Sequence, residues 1–152
     1  MRTNLLKWLI ETAVPFLNLF RNPPQWPFDI NQYRLMPEGS LGNAVAVFLD
    51  ERNLPLLPKY EIHDVMHVLL GYGITPFEEI KLQAFMIGNG SSTFAGKVLF
   101  AVGLMIKPEY TRQLLKEMNA GKKAKRLSRF NFSEIQTGSL IFLRNELDIT
   151  IA

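Results

Sequence analysis

The chain has 152 residues and a formal net charge of +3, and 47% of its residues are hydrophobic while 20% are charged. This length suits one folded domain with a sizeable core, and the composition excludes a disordered chain. The small positive charge, without a basic groove interleaved with aromatic residues, argues against nucleic-acid binding. The absence of cysteine excludes disulfides, thiolate metal sites, iron–sulfur clusters and a cysteine nucleophile.

The first 20 residues are apolar but are interrupted by Lys7, Glu11 and Pro15. They predict neither a membrane-spanning helix nor a secretion signal, so we expect the protein in the cytoplasm. A helix in this segment would pack on the domain, form a homodimer contact or lie on the surface of the inner membrane.

Four prolines within residues 22–37 predict an extended loop. The chain is therefore expected to consist of an amino-terminal region, residues 1–37, and a single globular unit, residues 38–152. In that unit the helical spacing of apolar residues, without sustained strand alternation, predicts an all-α fold of about six or seven helices.

Signals for helix ends place the central helices. Ser40 precedes the first helix of the globular unit. A helix pair is predicted at residues 59–70 and 76–87. Gly71 ends the first helix of this pair, and Thr75 caps the second.

The second half of the unit is also predicted to be helical. Residues 94–106 are almost uninterruptedly apolar, which favours a helix at the buried centre of the fold. Pro108 starts the next helix, and Gly121 is expected to stop it. One or two short helices close the chain.

Both histidines of the chain lie on the first helix of the pair, at His63 and His67. Because each helical residue advances about 100°, the two imidazoles and Asp64 fall within one sector of the helix. Tyr60 lies in the same sector, and Gly71 is expected to leave empty space one turn further on. Histidines four residues apart on a helix can bind one metal ion together.

A further ligand is predicted on the second helix of the pair. Thr75 and Glu78 have the spacing of a capping box, which assigns Glu78 to the helix start. Glu79 is then available to turn back toward the histidines. Two imidazoles with one or two carboxylates suit zinc, and they also accept iron(II) or manganese. The pattern favours a metal-binding helix pair over two ordinary polar histidines.

Three classes of metal protein share parts of this pattern. Zincin peptidases carry a glutamate where this chain has Asp64. HD-type phosphohydrolases require a further histidine ahead of the His-Asp pair, and this sequence has none. A facial-triad or related site in a helical pocket stays open from the spacing alone.

The pattern His-Asp-x-x-His, followed after eleven residues by Glu79, resembles the signature of the coenzyme Q (ubiquinone) biosynthesis protein 4 family. Similar segments are PEGSLGNAVAVFLDERNL, LLGYGITPFEEIKLQAF and LRNELDI, so the resemblance covers roughly residues 37–149. It implies an all-α fold with four metal ligands, usually of zinc. These ligands are His63, Asp64, His67 and Glu79.

The resemblance also implies a role on prenylated aromatic lipids, peripheral membrane contact and proteins of a biosynthetic complex as partners. One reading is a metal-dependent lyase for the oxidative decarboxylation of a polyprenylated hydroxybenzoate-type ring, with Asp64 and Glu79 as catalytic residues. The alternative is a non-catalytic scaffold, stabilised by its metal, that presents prenylated intermediates to partner enzymes. Expected substrate contacts are Tyr60, Gly71, Leu82, Phe85 and Met86. Core packing alone would also explain the apolar members of this set.

Overall fold

The computed structural model describes residues 25–151, and this part of the chain is helical, without a strand. The all-α prediction is therefore confirmed. We number the seven described α-helices in chain order as α1 Ile30–Arg34, α2 Leu41–Asp50, α3 Glu61–Leu70, α4 Pro76–Asn89, α5 Phe94–Ile106, α6 Thr111–Lys123 and α7 Leu140–Glu146. The predicted amino-terminal helix, with its dimer or membrane contacts, lies outside the described residues.

The chain divides into two compact units. In the described part, the first unit comprises residues 25–71 and 129–151 and contains α1, α2, α3 and α7. The second unit comprises residues 72–128 and contains α4, α5 and α6. The predicted boundary at residue 37 stays a prediction.

Helix α1 corrects the prediction of a loop without secondary structure between residues 22 and 37. Asp29 caps it by accepting a hydrogen bond from the Gln32 backbone N–H at 2.9 Å. The Gln32 side chain in turn accepts one from the Asp29 N–H at 2.8 Å. This reciprocal capping box stabilises a five-residue helix that a proline count does not predict. Its Tyr33 is fully buried, and the Trp26 indole N–H donates to the Tyr33 hydroxyl at 2.8 Å.

Helix α2 connects the elements of the first unit, because it packs against both α1 and α3. Ser40 caps it, as predicted, and accepts from the Asn43 N–H at 3.3 Å. A side chain at Gly42 would press on the Tyr33 ring of α1, at 2.8 Å from Cδ1. Helix α7 packs against α3 from the carboxyl-terminal end of the chain.

In the second unit, α4 and α6 cross so closely that the contact requires glycine. A side chain at Gly88 would overlap the Met118 carbonyl oxygen, and one at Gly121 would overlap the Phe85 carbonyl oxygen. The prediction that Gly121 stops its helix is therefore wrong, since α6 continues to Lys123. Glycine is required there for close packing rather than for termination.

Asn89, at the end of α4, joins this crossing to the chain that follows α6. Its side-chain N–H₂ donates to the Gly121 and Lys125 carbonyls at 3.0 Å each, and its oxygen accepts from the Leu127 N–H at 2.9 Å. The residue is 7% exposed, so these hydrogen bonds satisfy an amide that burial would otherwise penalise.

Helix α5 has the predicted bounds but not the predicted burial. Only Gly96, Leu99 and Gly103 of this helix are buried, while Phe94 is 75% and Met105 83% exposed. A nearly uniform apolar sequence does not reveal which stripe packs against a neighbour, and here α4 covers one stripe only. Within the described residues, no helix has the length and apolar character needed to cross a membrane.

Candidate metal centre

Helix α3 brings the two histidines together. The helix begins after Tyr60, whose carbonyl accepts the N–H groups of His63 at 2.9 Å and Asp64 at 3.1 Å. His63 and His67 then lie one turn apart, with their Nε2 atoms 3.0 Å from each other. Their rings meet edge to face, with centroids 4.6 Å apart. His67 is 2% exposed, and His63 is half-buried.

The separation of the two Nε2 atoms fits one shared ion. Zinc–imidazole bonds measure about 2.0–2.1 Å, so nitrogens 3.0 Å apart are close enough to bind one ion together. The same separation is also that of a hydrogen bond between the two rings.

A stack of side chains from α2 supports the His67 ring. Phe48 lies nearly parallel to it, with ring centroids 5.7 Å apart and 22° between the planes. The Arg52 guanidinium also lies over the Phe48 ring, with its central carbon 4.0 Å from the ring centroid. The sequence contained no signal for this contact between Phe48 and a histidine.

The two adjacent glutamates at the start of α4 differ in their surroundings. Thr75 caps the helix, as predicted, and accepts from the Glu78 N–H at 3.3 Å. The other half of the predicted capping box is wrong. The Glu78 carboxylate instead accepts from the Gly73 N–H at 3.4 Å and pairs with Lys81 Nζ at 3.0 Å. Glu78 therefore still serves the start of the helix, and Glu79 is half-buried beside it.

His63, His67 and Glu79 form a group of side chains that could hold a metal ion. Two imidazole nitrogens and one carboxylate oxygen are a donor set suited to zinc and acceptable to iron(II) or manganese. Three of the four residues expected as ligands belong to this group, and their role as metal ligands stays a prediction.

Asp64 is not a member of this group. It is half-buried on α3, and its charge, like that of Glu61, acts on the buried Tyr33. Burial is the main cause that raises the pKa of Tyr33, and the two carboxylates raise it further. The role of Asp64 as a metal ligand stays a prediction.

The predicted substrate contacts occupy different environments. Tyr60 is half-buried, as is Met86, whereas Leu82 and Phe85 are 2% and 3% exposed and pack within the second unit. The empty space expected beside Gly71 is absent, because a side chain there would meet Ile151 at 3.1 Å. The role of these residues in substrate binding stays a prediction.

Comparison with known proteins identifies the family. A family model for the coenzyme Q (ubiquinone) biosynthesis protein Coq4 matches residues 56–152, which is well over half of the chain. The chain belongs to the Coq4 family. The matched region of this Coq4-family chain includes both histidines and Glu79. Membership supports a role in ubiquinone biosynthesis and suggests lipid intermediates or proteins of a complex as the kinds of partner.

A solved structure supports the fold of this Coq4-family chain. It is the crystal structure of a protein assigned to ubiquinone biosynthesis from Nostoc punctiforme PCC 73102. The two chains are 21% identical with a TM-score of 0.66, and the similarity covers 98% of this chain and 80% of the other. At this identity the likeness shows a shared fold. No curated protein sequence matches.

Proposed function

We propose that this Coq4-family chain is a metal-dependent enzyme that removes the carboxyl group from a polyprenylated hydroxybenzoate-type ring during ubiquinone biosynthesis. The observation that carries the proposal is the pair of histidine Nε2 atoms 3.0 Å apart, grouped with Glu79. His63, His67 and Glu79 would hold the ion. Such an ion supplies Lewis-acid stabilisation of negative charge on carboxylate or phenolate oxygens.

The bond broken is the one between the ring carbon and the carboxyl carbon. Carbon dioxide leaves, and the ring carbon keeps the electron pair. Asp64, next to His63 and half-buried, is the residue we assign to carry a proton to that carbon. If a hydroxyl is installed there instead, two electrons must pass to an oxidant from outside the chain.

The test measures labelled carbon dioxide released from a carboxyl-labelled prenylated hydroxybenzoate, together with the metal content of the same samples. Glu79→Ala should lose the metal, and its turnover should fall by at least about 100-fold. Glu78→Ala is the matched control, because it removes the adjacent carboxylate that pairs with Lys81. That control should keep both metal and turnover. Undiminished turnover in folded Glu79→Ala would make metal catalysis wrong.

A non-catalytic scaffold for prenylated lipids is the second candidate, and one feature of α5 favours it. Four of its exposed residues recur at helical spacing on one face, which would suit contact with an isoprenoid chain or a membrane surface. They are Phe94, Val98, Ala101 and Met105. Prenylated lipid that co-purifies with a metal-loaded protein lacking turnover would support the scaffold over the enzyme.

A further inference from the structure

Arg144 of α7 contacts the carboxyl-terminal end of the helix that carries both histidines. Its Nε donates to the Leu69 carbonyl at 3.0 Å, and its Nη2 donates to the Val68 carbonyl at 2.8 Å. These two nitrogens form one edge of the planar guanidinium, so the side chain binds two successive carbonyls with a fixed geometry. Burial lowers the pKa of Arg144, yet an arginine remains charged.

The contact meets a need that every helix end has. The last four carbonyls of an α-helix lack partners within the helix, and the final turn frays unless they are bound. In α3, Gly71 adopts a left-handed conformation at φ 73°, and its N–H donates to the His67 and Val68 carbonyls. The Leu69 carbonyl is bound by Arg144. Arg144 and Gly71 together therefore close the last turn.

That turn contains His67, three residues before the helix ends at Leu70. His63 lies one turn earlier, in the first turn of the helix. A shift of the last turn by a few tenths of an ångström would change the 3.0 Å separation of the Nε2 atoms. Metal ligands tolerate little such displacement, because a productive site must be held within about 0.5 Å.

We propose that Arg144 is a positioning residue of the metal centre, which fixes His67 relative to His63 by binding the last carbonyls of α3. The inference rests on the metal function proposed above. Arg144 would touch neither the ion nor the substrate. Its effect passes through the backbone of residues 67–70, so the geometry of the bound ion reports it.

The experiment titrates Co²⁺ into the metal-free full-length chain and records the visible spectrum, which depends on coordination geometry. Arg144→Met, which keeps much of the apolar stem, should weaken Co²⁺ binding by about tenfold or more and shift the absorption bands. Arg144→Lys retains the charge but lacks the paired N–H groups of the guanidinium edge. It should give an intermediate affinity with a shifted spectrum. Hydrogen exchange at the amides of residues 67–71 should accelerate in Arg144→Met.

Two controls separate positioning from general stability. Arg34→Met removes an exposed arginine of the same unit, which pairs with Asp50 at 2.7 Å, and should behave as wild type. Leu147→Ala opens a cavity at a leucine that is 1% exposed in the same carboxyl-terminal segment. It should lower the melting temperature but keep the wild-type Co²⁺ spectrum at temperatures where it is folded.

The outcomes distinguish this inference from the proposed function. A wild-type affinity and spectrum in Arg144→Met would overturn the positioning role alone. So would a Leu147→Ala spectrum that shifts as far as that of Arg144→Met. If Arg144→Met does not fold, the Arg144→Lys spectrum decides, and an unshifted spectrum overturns the inference. A wild-type chain that binds no Co²⁺ would make both the metal function and the positioning role wrong.

Discussion

Phe48 provides a prediction at the scale of one residue, because its ring covers one face of His67. Phe48→Leu keeps most of the apolar volume but removes the flat surface on which the imidazole and the Arg52 guanidinium both stack. We expect metal affinity to fall by about threefold to tenfold. This loss is somewhat smaller than that caused by removing a side chain that is hydrogen-bonded to a metal ligand. Phe77→Leu, which removes a ring packed on Tyr110, is the control for general loss of aromatic packing. Calorimetric zinc titration measures both, and equal affinities in the two variants would contradict the prediction.

Tyr72 provides a second prediction, which concerns pH. Its hydroxyl donates to Glu117 Oε2 at 2.6 Å. Burial raises the pKa of Tyr72 above its ordinary value, and the hydrogen bond to Glu117 raises it further. As pH rises, the unfolded chain loses this proton first, at about pH 10. The stabilisation by neutral Tyr72 is therefore complete below pH 10 and is lost above it.

Tyr72→Phe should reduce this alkaline loss. We expect the variant to be about 1–2 kcal/mol less stable than wild type at pH 7, because Glu117 loses a donor. Its free energy of unfolding should then decline less steeply between about pH 9 and 11. Urea unfolding across that range measures the slope. Equal slopes for the two proteins would show that Tyr72 titrates alike in the folded and unfolded chain.

The sequence could predict those residue contacts that lie within one helix. His63 and His67 share α3, and Thr75 caps the helix that starts beside it, so local spacing was sufficient. Arg144 is 75 residues from Leu69 in the chain, and only tertiary packing brings them together. The same reason explains why the sequence did not identify Phe48 as a partner of a histidine.

At the scale of elements, the crossing of α4 and α6 predicts the effect of adding one methyl group. Gly121→Ala would gain up to about 1 kcal/mol of helix propensity. The added carbon would overlap the Phe85 carbonyl oxygen, however, and must force the two backbones apart. We expect a net loss of about 1–3 kcal/mol in the free energy of unfolding, as for overpacked cores.

Denaturant unfolding of Gly121→Ala checks this expectation. Gly73→Ala is the comparison, because a side chain there would meet only Glu78 Cγ at an ordinary 3.7 Å. That substitution should change stability by less than about 0.5 kcal/mol. A Gly121→Ala protein as stable as wild type would mean that the helices separate without cost.

The elements also show where sequence patterns stop being informative. The bounds of α5 follow from its apolar run and its Thr93 cap, but its exposure depends on how many neighbours the fold supplies. Gly121 has the sequence features of a helix stop, yet close packing explains it better. Four prolines in residues 22–37 led to the prediction of a loop, although the Asp29–Gln32 capping box indicates the helix α1.

At the scale of the molecule, a bound metal should raise the stability of the folded chain. A ligand present at a hundredfold excess over its Kd adds about 2.7 kcal/mol to the free energy of unfolding. For a protein of this size, that corresponds to a rise of roughly 5–10 °C in the melting temperature. Chelation should remove this increment from the wild type, and His67→Ala should show no response. Calorimetry with and without chelator measures it, and a wild type insensitive to both zinc and chelator would contradict the prediction.

The fold class could be predicted from helical periodicity alone, but the division into two units could not. The first unit combines residues 25–71 with residues 129–151, and the second is formed by the chain between them. Such an arrangement depends on contacts between segments that are distant in sequence. Periodicity within single helices contains no information about those contacts.

Asn89 and Gly90 have a consequence for the lifetime of the protein. Asparagine followed by glycine is the dipeptide most prone to deamidation, in which the glycine nitrogen attacks the asparagine side chain. Here the Asn89 amide is held by backbone carbonyls, and the Gly90 N–H donates to the Ile87 carbonyl at 3.1 Å. The reaction should therefore proceed only while the end of α4 is open. The combined fraction of isoaspartate and Asp at position 89, the two products of succinimide hydrolysis, would record in an aged sample the cumulative time that the chain has spent locally unfolded.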